Sequence, residues 1–267
     1  MNEIRLALES ASSETVNEGC VGAGTGISCY GWKEGNGTAS RVLPGEIGGY
    51  KLGALVQSNF GRPNELTISG VLAGLFLQPP EYSPELPGGS IMIIIATVAP
   101  LDSRQLGRLC HRAAFGLSRT GSTLHGGSGD FVIAFSTAYR IPDRAIALVF
   151  NRPNLANEQS VIGRLGLAVI ESVEEAIIKS MPIAETVVGR DGNTRHHLPA
   201  ERVVETIHQY RRPSGKAGGC KKKGAPDVWQ GDLACQIQGR KKMSLVVAND
   251  KLLLDRHKRY SEHAGAL

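Results

Sequence analysis

Gly89-Ser90-Ile91-Met92-Ile93-Ile94-Ile95-Ala96-Thr97 is the stretch on which the reading of this chain turns. Ile91 to Thr97 is an apolar, β-branched run of strand length, with apolar side chains at consecutive positions, so it reads as a buried strand. Ser90 stands where a small, glycine-rich loop enters that strand. If the bond before it were cut, Ser90 would carry both a hydroxyl and a free α-amine. An α-amine titrates at roughly pH 7.7–8.0, so a single residue would supply nucleophile and base. A Gly-Ser pair by itself usually marks a turn. Its neighbours along the chain give this one a different weight.

Three further segments share its character. Asn17-Glu18-Gly19-Cys20-Val21-Gly22-Ala23-Gly24-Thr25-Gly26 runs on towards Gly37-Thr38-Ala39-Ser40-Arg41-Val42. Leu55-Val56-Gln57-Ser58-Asn59-Phe60-Gly61-Arg62 follows, and residues 118–138 contain Gly126-Gly127-Ser128-Gly129-Asp130 ahead of Phe131-Val132-Ile133-Ala134-Phe135. Read for chemistry, acyl transfer needs a nucleophile, a base and donors for a developing oxyanion. Ser90 supplies the first and its freed amine the second. Asn59 offers an NH2 donor at the end of an apolar strand. Asp130 is a carboxylate able to hold an ammonium group and to orient Ser128. Taken singly, Asn59 is a turn residue before Gly61, and Ser128 and Asp130 cap a loop.

Together and in this order, residues 5–212 resemble the L-aminopeptidase/D-Ala-esterase/amidase (DmpA) family, which includes β-peptidyl aminopeptidases. The resemblance implies an α+β fold, an α/β/β/α sandwich like that of N-terminal-nucleophile hydrolases. It implies self-cleavage between Gly89 and Ser90, giving residues 1–89 and 90–267, and an aminopeptidase or amidase acting on small peptides, amides or esters through Ser90. The family's oxyanion-stabilising asparagine falls on Asn59, and its second serine and acidic residue fall on Ser128 and Asp130. No cofactor and no metal is implied. Processed chains are expected to form a homo-oligomer.

Composition fits that expectation. The chain has 267 residues and is 41% apolar, and its longest apolar run, near Ile91–Ala99, is strand length rather than membrane-spanning length. The first residues, amphipathic and acidic, do not read as a signal peptide. Five irregularly spaced cysteines suggest neither a disulfide framework nor a zinc site. A cytoplasmic protein with reduced thiols is expected. Residues 1–213 hold 19 Lys and Arg against 20 Asp and Glu, whereas residues 214–267 hold 11 against 5. The expected organisation is therefore a peptidase domain over 1–213 and a basic, flexible tail over 214–267. Nucleic acid is not the expected partner of that tail, which reads as a solvated extension.

Periodicity predicts strands at Ile27–Trp32, Tyr50–Gln57, Ile91–Thr97 and Phe131–Phe135. It predicts helices at residues 2–10, at Ser103–Leu117 behind Asp102, at Gln159–Lys179 behind Asn157, and at Pro199–Tyr210. Gly22-Ala23-Gly24-Thr25-Gly26 is not read as a dinucleotide loop, since a strand rather than a helix follows it. His125 is read as a loop residue.

The sequence departs from the family pattern in three ways. It starts inside what would be the family's first subunit, it has Val98 where the family usually carries an acid, and it adds the tail. The first departure predicts a weak enzyme. The alternative reading is a truncated, non-catalytic member.

Overall fold

The computed structural model describes residues 2–12, 14–80, 89–144 and 148–210. The tail expected over 214–267 lies outside them, as does Gly88, just ahead of the expected cut between Gly89 and Ser90. The described residues up to Val16 and those from Asn17 onward belong to two separate compact units. In the first, α1 (Asn2–Glu9) has Ile4, Leu6 and Leu8 exposed.

The second unit is α+β. It runs β1 (Ser28–Cys29), β2 (Trp32–Lys33), β3 (Asn36–Val42), β4 (Lys51–Asn59), β5 (Ser90–Thr97), α2 (Ser103–Arg119), β6 (Gly129–Ser136), α3 (Glu158–Ile183), β7 (Val187–Val188), β8 (Thr194–Arg195) and α4 (Ala200–Tyr210). One sheet has the order β3-β4-β5-β6, antiparallel except for the parallel β5–β6 pair. That parallel pair needs a crossover, and α2 supplies it.

Strand alternation sorts the sheet into two faces. Ile91, Ile93 and Ile95 of β5 are buried, alongside Val56, Ala54 and Leu52 of β4, against α2 and α3. Burying each such isoleucine contributes roughly 1.5–3 kcal/mol. On the opposite face, Met92, Phe131, Ile133 and Phe135 are exposed.

Helix α3 is the spine of the core, with Leu165, Val169, Val173, Ala176 and Ile177 fully buried. It lies so close to β3 that a Cβ on Gly37 would stand 2.1 Å from the Ala176 carbonyl oxygen. Only glycine fits there. Arg41 of β3 pairs with Glu171 at 3.0 Å and Glu175 at 2.7 Å on the same helix.

The N-terminus of α2 is closed by the expected cap. Asp102 Oδ1 accepts from the Gln105 N–H at 2.7 Å, and Gln105 Oε1 accepts from the Asp102 N–H at 3.0 Å. Gln105 also donates to Glu158 in the first turn of α3. Arg104 and Arg108 join that carboxylate, which is pulled down to about pH 2 chiefly by its bond from Arg104.

Two expectations change. Residues 27–32 are not one strand but the hairpin β1–β2, because Tyr30 and Gly31 take positive φ angles of 51° and 77° and reverse the chain. An aromatic residue in that conformation gave no sequence signal. Strand β3 was not expected as a strand, since its Gly-Thr-Ala-Ser-Arg sequence lacks apolar alternation. The hairpin β7–β8 was not expected either, while β4, β5, β6 and the helices fall where expected to within a few residues, and α3 runs on to Ile183.

Candidate active site

Strand register brings the sequence-picked residues together. Asn59, the last residue of β4, stands directly opposite Ser90, the first of β5. Ser90 in turn stands beside Gly129 at the start of β6. Ser90 and Asn59 therefore point to the same face of the sheet, at the end where three strands meet a loop. Directly opposed Cβ atoms in such a pair lie roughly 4.5–5.5 Å apart.

The residue before Ser90 is constrained. A Cβ on Gly89 would fall 2.5 Å from Phe60 Cα and 2.6 Å from the Asn59 carbonyl oxygen. The Gly89 carbonyl accepts from the Gly129 N–H at 3.2 Å. Any larger residue at 89 would displace the backbone that carries the Gly89–Ser90 bond.

The Asn59 side chain is oriented. Its Oδ1 accepts from the Ser28 N–H at 3.3 Å, which leaves the NH2 end as the donor. The hairpin bearing Ser28 is itself pinned to the end of β4. The Tyr30 N–H donates to the Phe60 carbonyl at 2.8 Å, the two rings stack edge to face at 5.2 Å, and the Tyr30 hydroxyl meets Thr120 Oγ1 at 2.8 Å.

Ser128 and Asp130 flank Gly129. Ser128 Oγ donates to Asp130 Oδ1 at 2.5 Å, a short bond of the charge-assisted kind. By alternation Asp130, paired with Ile91, belongs to the other face from Ser90, so the structure brings it beside the strand end that carries Ser90 rather than across from Ser90. His125 stays in the loop before β6, with Nε2 3.2 Å from Glu65 Oε1.

Sequence reasoning missed two buried ionisable residues beside Ser58 and the glycine-rich loop, Lys33 and Glu34. Lys33 Nζ donates to the carbonyls of Gly24 at 2.6 Å, Ile27 at 3.0 Å and Glu34, tying the glycine-rich loop to β2. Glu34 is 0% exposed. Its Oε1 accepts from the Ser58 N–H at 3.2 Å, one residue before Asn59, while its Oε2 has no hydrogen-bond partner. Burial pushes the Glu34 carboxyl up to about 8, against smaller opposing effects from the Ser180 and Ser58 hydroxyls and Lys33. The available signal was two adjacent charges between Gly31 and Gly35, inside a run, residues 19–40, otherwise free of charge.

This carboxyl makes stability pH-dependent. Its unfolded value of about 4.5 lies below its folded one of about 8. The folded chain therefore holds the proton more tightly, and stability falls as pH rises across that window. Glu34→Gln, which mimics the protonated acid, should flatten this decline and stabilise the protein at pH 8 by on the order of 3–5 kcal/mol relative to wild type. Denaturant unfolding at pH 5 and pH 8 reads this out. An equal wild-type-to-variant difference at both pH values would refute it.

Among the described residues, no group of three or more His, Cys, Asp or Glu is placed to hold a metal ion. No described helix is long and apolar enough to cross a membrane.

The profile of peptidase family S58 matches residues 1–195. The chain belongs to peptidase family S58. Its S58 relatives include a β-peptidyl aminopeptidase, BapA, from Sphingosinicella microcystinivorans, 36% identical over 77% of this chain and 55% of the relative. Among solved structures, the L-aminopeptidase D-Ala-esterase/amidase of Ochrobactrum anthropi superposes with a TM-score of 0.70 at 37% identity, covering 78% of this chain and 57% of that one. That enzyme is described as a prototype for the serine aminopeptidases and a variant of the Ntn hydrolase fold. A Burkholderia β-aminopeptidase gives a TM-score of 0.71 at 36% identity, over 79% and 60% of the two chains. The S58 chain here thus spans a little over half the length of these relatives. It shares their α+β, Ntn-hydrolase-like fold.

Proposed function

We propose that this S58 chain is a self-processing serine aminopeptidase or amidase with Ser90 as its nucleophile. One observation carries the reading. Asn59 stands opposite Ser90 with its amide oxygen engaged by Ser28, and the preceding residue sits where only glycine fits.

In processing, Ser90 Oγ attacks the Gly89 carbonyl carbon, and Asn59 Nδ2 donates to the oxyanion. The C–N bond then breaks, and the Ser90 nitrogen takes the proton. Gly89 is left as an ester on Oγ, which water opens to a carboxylate. In turnover, the freed Ser90 amine accepts the hydroxyl proton as Oγ attacks a substrate's first carbonyl. The amine returns that proton to the leaving group, and water releases the acyl-enzyme. Asp130, paired with Ser128, holds the Ser90 ammonium.

Substrates are small peptides, amides or esters with a free N-terminus. The naming of two relatives as β-aminopeptidases supports β-amino-acyl peptides among them. Processed chains act as a homo-oligomer in the cytoplasm. The three described cysteines are free thiols, in keeping with a reducing compartment.

The test is the intact mass of purified protein, followed by release of N-terminal residues from short peptides with and without a chelator. Two pieces, residues 1–89 and 90–267, and chelator-insensitive turnover are expected. A single uncut chain without turnover would mark a non-catalytic member, and a cut elsewhere would remove Ser90 from the mechanism.

A further inference from the structure

Hairpins β1–β2 and β7–β8 flank a half-open cleft of about 260 Å³ whose lining includes Gly26, Ser28, Lys33, Val187, Asn193 and Arg195. The hairpins are joined by the Lys33 N–H, which donates to the His196 carbonyl at 2.7 Å. We propose that this cleft receives the leaving side of the substrate and that Arg195 pairs with its free C-terminal carboxylate. The proposal rests on the aminopeptidase reading for its role, though not for the binding chemistry itself.

Charge comes first. The described lining holds two cations and no carboxylate. This is a local feature, because residues 1–213 as a whole carry 19 basic and 20 acidic side chains. The two cations differ in what they have left to give. Lys33 Nζ spends its three donors on three backbone carbonyls. Arg195, half-buried, gives one bond, from Nη1 to the Thr194 carbonyl at 3.0 Å. No carboxylate among the described residues lies within ion-pair distance of it. A guanidinium has five donors in a planar fork, a match for a carboxylate's two oxygens.

Position comes next. Ser28 lines the cleft, and its N–H holds the Asn59 side chain, which stands opposite Ser90. One hydrogen bond and one strand pair separate the cleft wall from the nucleophile, on the order of 10 Å. Two extended residues at roughly 3.3–3.6 Å each, met by an arginine side chain, cover that span. Size agrees as well. Cavities for drug-sized ligands run roughly 300–1,000 Å³, so this one suits about one residue rather than a long chain. A short peptide would place its acyl side at Ser90 and its terminal carboxylate at Arg195.

The experiment compares a dipeptide with its C-terminal amide. Wild type should favour the free acid by roughly 10–100-fold, through KM. Arg195→Gln should erase that preference while leaving KM for the amide, kcat and self-cleavage unchanged, and Arg195→Lys should restore part of it. Equal use of acid and amide by wild type, or an equal loss for both in Arg195→Gln, overturns the proposal.

A binding arm uses the N-acetylated dipeptide, which has no free amine to present for turnover, titrated calorimetrically against its amide and inorganic phosphate. Selective, Arg195-dependent binding of the acid in a protein that shows no turnover would sustain the cleft and fell the aminopeptidase reading. Phosphate binding as tightly as the peptide acid would mean a general anion site and overturn the proposal.

Discussion

Ser90→Ala should remain a single chain of 267 residues and release no amino acids from any peptide. The substitution removes Oγ, the atom that in the proposed mechanism both breaks the bond to Gly89 and forms the acyl-enzyme. It also keeps the amine locked in a peptide bond, so the base is lost with the nucleophile. The fold should survive. Ser90 is half-buried at the first position of β5, and alanine preserves both its ladder bonds and the fit of Gly89 against Asn59 and Phe60. Unchanged thermal unfolding of the uncut form, beside complete loss of processing, is the expected pair of results. Cleavage at residue 89 in Ser90→Ala would end the mechanism.

The second large effect concerns Asn59. Asn59→Ala should lower kcat by on the order of 10²–10³, the loss seen when one oxyanion donor is removed from an acyl-transfer site, with little change in KM. Asn59→Asp separates donation from architecture. An aspartate can still accept the Ser28 N–H that Oδ1 now accepts at 3.3 Å, so the hairpin should keep its place. It has no N–H to offer, and its negative charge opposes an oxyanion. If Asp at 59 retained most of wild-type kcat, donation by this side chain would not be the stabilising interaction.

Much of this site was legible because its residues sit at strand ends. Ile91 to Thr97 announced β5 by composition alone, and a polar residue beginning a buried strand has few places to point. The pairing of β4 with β5, which sets Asn59 opposite Ser90, came from the structure. The β1–β2 hairpin was not legible. Its reversal depends on Tyr30 adopting a left-handed conformation, sustained by the edge contact with Phe60 and the Thr120 bond, both distant in sequence. Strand β3 was missed for the opposite reason. Its small and polar residues suit the close approach of α3, and that helix lies well over a hundred residues further along the chain. Glu34 was not singled out from the sequence, where only its place beside Lys33 in a glycine-rich run marks it; its burial is what sets it apart.

Strand β5 lies between β4 and β6, and the proposed cut falls between β4 and β5. Before the cut, the sheet assembles within one molecule, at a rate indifferent to dilution. Afterwards β4 belongs to one polypeptide and β5 and β6 to another, so the same eight-residue pairing from Asn59–Ser90 to Leu52–Thr97 becomes an association between two chains. Unfolding would then release fragments whose reunion is second order and slows as they are diluted. Scission would thus turn a fold indifferent to dilution into one that re-forms only when two fragments meet, and leave the mature protein's lifetime in dilute solution set by how slowly β4 and β5 part.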